Sequence, residues 1–301
     1  MYQERPEWED VIPLPQDDGA LPLAQIAYTD EYAEAMSYLR ALMAKDEHSE
    51  RALEITEHII EMNPAHYTVW LYRANIVFAL GKDLRKEVEW LNEKALRHEK
   101  NYQIWHHRQL IIDKLDDSTG EADFIAKMFQ KDAKNYHVWS YRQWLVKRFG
   151  LWEKGELEYV EYLLEQDVRN NSAWSHRFFL VCGNGQELTE EIVQRELGYV
   201  SDNIFLAPQN PSPWNYIRGI LQRAKLPMSR IEKTCTYYAP LDNPEKIKSS
   251  HALDILAEIY STIPEQKDLA IQSLDLLSST YDPIRTNYWN YRKTQIQKAA
   301  A

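Results

Sequence analysis

The chain has little glycine, little cysteine and no long hydrophobic run. Only 9 of its 301 residues are glycine, which is few for a protein rich in sheets or loops and suits a helical one. The two cysteines, Cys182 and Cys235, form no Cys-x-x-Cys pair or His/Cys cluster. The sequence therefore predicts no zinc site and two reduced thiols. No apolar run approaches the roughly 18 residues that span a bilayer, and the start lacks the basic and apolar regions of a signal peptide. We expect a cytoplasmic protein with no membrane span.

Positive charge is also scarce. The chain has 35 Lys and Arg residues against 46 Asp and Glu residues, a formal net charge of −11. Proteins that bind nucleic acid need Lys and Arg for phosphate contacts. The balance therefore predicts no nucleic-acid partner, and any anion site must be a local feature.

A tryptophan followed three residues later by an arginine recurs along the chain at steps of 34 or 35 residues. The pairs are Trp70 and Arg73, Trp105 and Arg108, Trp139 and Arg142, and Trp174 and Arg177. Trp214 and the pair Trp289 and Arg292 continue the pattern after longer steps, the second of which leaves room for one unmarked unit. Such a period indicates a repeat protein.

Each repeat is predicted to contain two helices. In the segment 135–149, apolar residues recur at helical spacing, and no Gly or Pro occurs before Gly150. Stacked helical hairpins of this length predict an all-α, right-handed superhelical solenoid, or crescent, of about seven antiparallel hairpins. Prolines in residues 1–30 predict an extended N-terminal arm, which leaves 31–301 as one solenoid domain.

The repeated Trp and Arg are interpreted as structural, because they recur in every unit whereas an active site does not. The tryptophans would pack between hairpins. The inward arginines would need partners, for which Asp132, Asp167 or helix-end carbonyls are the candidates.

Three turns just before the tryptophans carry a cation and an asparagine. They are Lys100–Tyr102, Lys134–Tyr136 and Arg169–Asn171. Asparagine is a good helix N-cap, so each turn is predicted to open a helix. A cation beside a helix N-terminus can hold an anion such as a diphosphate, but the spacing alone favours a solvated rim whose cations balance nearby acids. The sequence shows no phosphate loop or complete catalytic set, so the chain is either not an enzyme or part of one.

The segments KNYQIWHHRQL, QDAKNYHVWSYRQW and EQDVRNNSAWSHRFF resemble the repeats of protein prenyltransferase α subunits. The resemblance is greatest to the α subunit shared by protein farnesyltransferase and geranylgeranyltransferase type I. It extends to the leading segment RPEWEDVIPLPQDDG and covers nearly the whole chain.

This resemblance implies an obligate heterodimer that is inactive without its β subunit. The assembled enzyme would transfer a farnesyl or geranylgeranyl group from its diphosphate to the cysteine thiol of a C-terminal CaaX motif. Zinc would belong to the β subunit, and magnesium would accompany the diphosphate.

The resemblance also assigns roles to the cation-bearing turns. Lys100 matches a lysine that contacts the isoprenoid diphosphate, and Tyr136 and His137 are the other candidate catalytic residues. The candidate substrate-binding residues are Tyr67, Tyr102, Gln103, Lys134 and Asn135. Among these, Gln103 matches a glutamine that binds the C-terminal carboxylate of the CaaX peptide.

Two alternatives remain at this stage. A tetratricopeptide-like scaffold without catalysis has a similar period, but its repeats favour Gly and small Ala residues that this chain lacks in register. The α subunit of Rab geranylgeranyltransferase often carries extra domains, for which 301 residues leave no room.

Overall fold

The structure, a computed structural model, describes residues 2–298. The first residue of the predicted arm, Met1, and the last three of the predicted solenoid, residues 299–301, lie outside the described residues. Within 2–298 the chain forms 15 α-helices and no β-strand. The helices are α1 (Asp30–Ala44), α2 (Glu50–Met62), α3 (Tyr67–Ala79), α4 (Leu84–Arg97), α5 (Tyr102–Leu115), α6 (Glu121–Lys131), α7 (Tyr136–Phe149), α8 (Glu156–Gln166), α9 (Asn171–Gly183), α10 (Glu190–Leu206), α11 (Pro211–Arg223), α12 (Glu232–Tyr238), α13 (Ser250–Ser261), α14 (Lys267–Leu276) and α15 (Thr286–Lys298).

The chain divides into two compact units, Met1–Gly150 and Leu151–Ala301. In the first unit α1 packs on α2, and the pairs α2–α3, α4–α5 and α6–α7 form three hairpins. In the second unit the pairs α8–α9, α10–α11, α12–α13 and α14–α15 form four more. The predictions of an all-α fold and of about seven hairpins are confirmed. The hairpin without a repeated tryptophan is α12–α13.

The helix ends follow from local chemistry. Asn135 caps the start of α7 by accepting hydrogen bonds from the backbone N–H groups of His137 and Val138. The helix ends at Phe149, and the next residue, Gly150, has a φ of 62°, in the left-handed region that glycine adopts without steric cost. Val138 and Leu145 are buried on the inward face of α7. Burying each such side chain contributes roughly 1.5–3 kcal/mol.

The leading segment is anchored at its beginning. Residues 2–8 form two short 3-10 helices, in which Tyr2 and Trp8 are buried. The Trp8 ring packs edge-on against Tyr38 of α1, with 5.5 Å between ring centroids. Arg51 of α2 donates to both carboxylate oxygens of Asp10 at 2.6 and 2.9 Å. Residues 12–29 are exposed and contain no helix.

The inward arginines bind glutamates on the following helix. Arg73, Arg108 and Arg177 are each 1–3% exposed, and they pair with Glu87, Glu121 and Glu196 respectively at 2.7 Å. The expectation of Asp132 or Asp167 as their partner was therefore wrong for these three arginines.

The same glutamates receive a second bond from the next tryptophan-bearing helix. The ring nitrogen Nε2 of His107 lies 2.9 Å from Glu87, and the hydroxyls of Tyr141 and Tyr216 donate to Glu121 and Glu196 at 2.5 and 2.7 Å. Each glutamate therefore connects two consecutive hairpins. These bonds also offset the cost of burying its charge, which is high for an unpaired carboxylate.

None of the helices described between residues 2 and 298 is both long enough and apolar enough to cross a membrane.

Candidate functional site at the starts of α3, α5 and α7

The cation-bearing turns of the first unit lie side by side. Helix α5 packs against both α3 and α7, and the exposed residues Tyr67, Tyr102 and Tyr136 begin these three helices. The rings of Tyr102 and His137 meet edge-on, with 4.3 Å between their centroids. The repeat thus brings aromatic side chains from three hairpins to one edge of this unit.

Asparagine side chains fix the spacing of these turns. Asn101 caps α5 through Ile104 N–H and donates to the carbonyl of Pro64 at 2.9 Å. Asn135 caps α7 and donates to the carbonyl of Glu99 at 3.1 Å. Each asparagine therefore stabilises its own helix and binds the turn of the preceding hairpin.

The tryptophans complete these contacts. The indole N–H of Trp70 donates to Pro64 O at 2.9 Å, and that of Trp105 donates to Glu99 O at 3.3 Å. One carbonyl thus accepts from the tryptophan of its own hairpin and from the asparagine of the next. The indole and the next asparagine thus bind the same backbone carbonyl, and the structural role of the repeated Trp stays a prediction.

Lys100 projects from the turn before α5 and is exposed. Its Nζ lies 3.5 Å from Oδ2 of Asp132, and its side chain is 74% exposed. An ion pair with this exposure holds its partners weakly. Asp132 is also engaged by the backbone N–H of Lys134, which donates to Oδ1 at 3.0 Å. The Lys100 cation is therefore available to an anion at the N-terminal ends of α5 and α7, where helix dipoles favour negative charge.

His137 is half-buried behind this cation. Burial lowers the pKa of His137, and the nearby charge of Lys100 lowers it further. Both causes favour the neutral imidazole, which can accept or donate a hydrogen bond at the exposed edge. The Tyr136 ring lies 5.8 Å from the His137 ring and is open to solvent.

A cavity of about 380 Å³ lies between α3 and α5. It brings together three of the predicted substrate-binding residues, Tyr67, Tyr102 and Gln103. The remaining lining residues are Trp70, Leu71, His106, His107 and Leu110. The sequence predicted a structural role for Trp70 and did not identify the other four as lining residues, although Gln103, His106, His107 and Leu110 have the spacing of one helix face. Lys134, Asn135, Tyr136 and His137 do not line this cavity.

Asn135 differs from the other predicted substrate-binding residues in its burial. It is 2% exposed, whereas Tyr67 and Tyr102 are 74% and 65% exposed. Its amide oxygen and amide nitrogen both bind backbone groups.

No group of three or more His, Cys, Asp or Glu side chains in the described part of the chain has the arrangement of a metal site.

The fold and this edge define a helical-hairpin repeat protein that presents a cation and exposed aromatic rings beside helix N-termini. Five segments match the protein prenyltransferase alpha subunit repeat, namely residues 49–80, 84–115, 118–149, 154–183 and 193–224. These segments correspond to the five hairpins from α2–α3 to α10–α11. The chain belongs to the protein prenyltransferase alpha subunit family.

Individual relatives agree with this assignment. The chain is 41% identical over 305 residues to the protein farnesyltransferase/geranylgeranyltransferase type-1 subunit alpha of Candida albicans, covering 98% of this chain and 99% of that protein. It is 49% identical to the protein of the same name from Schizosaccharomyces pombe, covering 72% and 74% of the two chains. A solved structure of Candida albicans protein geranylgeranyltransferase-I complexed with GGPP matches with a TM-score of 0.90 and 40% identity, covering 97% of this chain and 99% of that one. The tetratricopeptide-like and Rab-specific alternatives are not favoured.

Proposed function

We propose that the chain is the alpha subunit of a heterodimeric protein prenyltransferase, active in farnesyl transfer and in type I geranylgeranyl transfer. The enzyme attaches an isoprenoid from its diphosphate to the cysteine thiol of a C-terminal CaaX motif. The observation that carries the proposal is the edge of the first unit, where Lys100 stands exposed beside the starts of α5 and α7. The relatives named above have this activity in their names.

Lys100 is the residue proposed to act on the diphosphate. Negative charge builds on the leaving diphosphate as its bond to the isoprenoid breaks, and a fixed cation stabilises that charge. At 4 Å a pair of unit charges interacts by about 1 kcal/mol in bulk water and by about 4 kcal/mol at the lower effective dielectric constant near a protein surface. A partner subunit that covers this edge would therefore increase the effect of Lys100. His137, whose pKa the charge of Lys100 lowers, and Tyr136, whose ring lies 5.8 Å from that of His137, are proposed as hydrogen-bonding groups, with Lys134 as a second cation.

The cavity between α3 and α5 is proposed to hold the end of the CaaX peptide. Its walls are mainly apolar and aromatic, with Tyr67 and Tyr102 at the exposed side. The amide of Gln103 can donate to the C-terminal carboxylate. These features suit a short peptide that ends in an apolar or small residue.

The partner is proposed to be the prenyltransferase beta subunit. Tyr67, Leu71, Tyr102 and Tyr136 are all exposed at one edge, and grouped exposed apolar side chains mark interaction sites. We propose, as the family resemblance implies, that the zinc ion belongs to the beta subunit. Magnesium would enter with the diphosphate. The cytoplasmic location remains part of this proposal and is supported by the two free cysteines.

Co-expression tests the proposal directly. The purified chain alone is expected to show no transferase activity, and co-expression with a beta subunit from the same source should yield a stable heterodimer that prenylates a CaaX peptide. Turnover by the single chain, or an inactive heterodimer with every tested isoprenoid diphosphate, would contradict it.

A substitution separates catalysis from assembly. Lys100→Ala should lower turnover by about 100-fold or more, the usual effect of removing a group that stabilises transition-state charge, while gel filtration shows an unchanged heterodimer. Lys114→Ala is the matched control, because Lys114 is an exposed lysine in the last turn of α5, the helix that Lys100 precedes. Loss of assembly in the Lys100→Ala variant would make Lys100 a structural residue.

A further inference from the structure

One side chain joins the turn that carries Lys100 to the helix that carries Tyr136 and His137. The amide oxygen of Asn135 accepts from His137 N–H at 2.9 Å and from Val138 N–H at 3.4 Å. Its amide nitrogen donates at 3.1 Å to the carbonyl of Glu99, the residue directly before Lys100. With 2% of its surface exposed, Asn135 has almost no area with which to contact a substrate.

We infer that Asn135 is a positioning residue that acts through Lys100. The inference rests on the proposed function, and it replaces the substrate contact that the sequence predicted for this residue. The bond from Asn135 to Glu99 O fixes the backbone of the Lys100 turn at a set distance from the start of α7.

The exposure of Lys100 makes this backbone anchor important. Its side chain is 74% exposed and has one weak contact with Asp132 at 3.5 Å. The place of the Lys100 ammonium group therefore depends on the backbone from which it projects. A displacement of about 1 Å at a reacting group can reduce the rate by about 100-fold.

Asparagine does two separable things at this position. Asp and Ser cap helices as well as Asn does, so either replacement preserves the start of α7. Neither supplies an N–H group that reaches Glu99 O, and the carboxylate of Asp would repel that carbonyl. Asn135→Asp and Asn135→Ser therefore remove the link to the Lys100 turn and keep the cap.

The repeat provides a matched control in the second unit. Asn210 is 3% exposed and caps α11 by accepting from Ser212 N–H. Its amide nitrogen donates to Val168 O at 2.8 Å, and that carbonyl also accepts from Trp174. Asn210→Asp thus removes the same kind of bond at a turn that carries none of the candidate catalytic residues.

The experiment measures kcat, KM for the CaaX peptide and the melting temperature of the assembled heterodimer. Asn135→Asp should lower kcat at least tenfold with an unchanged peptide KM. Asn210→Asp should leave kcat within twofold, and both variants should lose similar thermal stability. If Asn135→Asp does not assemble, Asn135→Ser is measured against Asn210→Ser. Equal kcat changes at the two positions, or no change at either, would overturn the inference.

A double-mutant cycle tests whether Asn135 acts through Lys100. Groups that act as a unit give non-additive effects. In the Lys100→Ala background, Asn135→Asp should therefore lower kcat less than twofold further. A further loss equal to that in the wild type would show an action independent of Lys100 and would overturn the inference. Full activity of Lys100→Ala, or an inactive wild-type heterodimer, would instead contradict the proposed function on which the inference rests.

Discussion

Replacing Arg108 by methionine would leave a buried carboxylate without its cation. Arg108 and Glu121 are each 1% exposed, and two guanidinium nitrogens donate to the two carboxylate oxygens at 2.7 Å. A third donates to Asn92 at 2.7 Å. In the variant, Glu121 would keep the hydrogen bond from the Tyr141 hydroxyl at 2.5 Å and lose its charge partner. Breaking a buried pair by removing one partner costs about 3–5 kcal/mol.

The measurement is calorimetry of the purified chain, alone or with its partner, with every variant in the same state. For a chain of this size, each kcal/mol lowers the melting temperature by about 2 °C, so Arg108→Met should lower it by about 6–10 °C. Arg148→Met is the control, since Arg148 pairs at the surface with Asp113 and Asp116. Exposed pairs contribute about 0–1 kcal/mol.

The double variant Arg108→Met/Glu121→Met separates the net contribution of the ion pair from the cost of leaving one buried charge without a partner. Replacing both charges by apolar groups is often close to neutral, so it should be less destabilised than Arg108→Met alone. The reasoning is refuted if Arg108→Met and Arg148→Met lower the melting temperature by the same small amount.

Three further perturbations follow from other contacts. Burial opposes the ionisation of Glu87, but hydrogen bonds from His107 and Arg73 outweigh it and lower its pKa from 4.5 to about 2. Because the folded-state pKa lies below the unfolded one, this stabilisation is present above pH 4.5 and is lost as the pH falls towards 2. Glu87→Gln should flatten that part of an acid-unfolding curve followed by circular dichroism. Burial and, second to it, the charge of Lys100 lower the pKa of His137. Lys100→Ala removes the second cause, so an NMR titration should show that the pKa of His137 rises. Lys225 has a φ of 56°, which costs a non-glycine residue about 1 kcal/mol, so Lys225→Gly should raise the melting temperature slightly.

The hairpin repeat could be predicted because tryptophan, usually with an asparagine before it, marks most units at nearly constant spacing. Trp105 donates to Glu99 O, six residues before it, and Asn101 accepts from Ile104 N–H, three residues after it, so these bonds follow from local turn geometry. The arginine partners could not be predicted in the same way. Glu121 lies 13 residues after Arg108 on another helix, and a chain this rich in acids offers several carboxylates at similar separations.

The candidate site was predictable in part for a similar reason. Lys100 and Tyr102 could be placed at a helix start from one turn, and Gln103 could be assigned only through the resemblance. The cavity is different because its two walls come from separate hairpins, so Leu71 and His106 meet only after α3 and α5 have packed. The burial of Asn135 likewise depends on the preceding hairpin, whose Glu99 carbonyl it reaches.

The carbonyl groups that accept from both a tryptophan and an asparagine restrict which insertions and deletions the repeat can tolerate. Pro64 O, Glu99 O and Val168 O each bind a tryptophan within their own hairpin and an asparagine one hairpin later. Duplicating or deleting a complete hairpin preserves both donors for every acceptor, because neighbouring hairpins present the same groups. Inserting a single residue between a carbonyl and its asparagine leaves a half-buried acceptor short of a donor, which costs about 1–3 kcal/mol. Evolution of this architecture is therefore expected to proceed by whole hairpins, with smaller insertions confined to the loops outside these bonds.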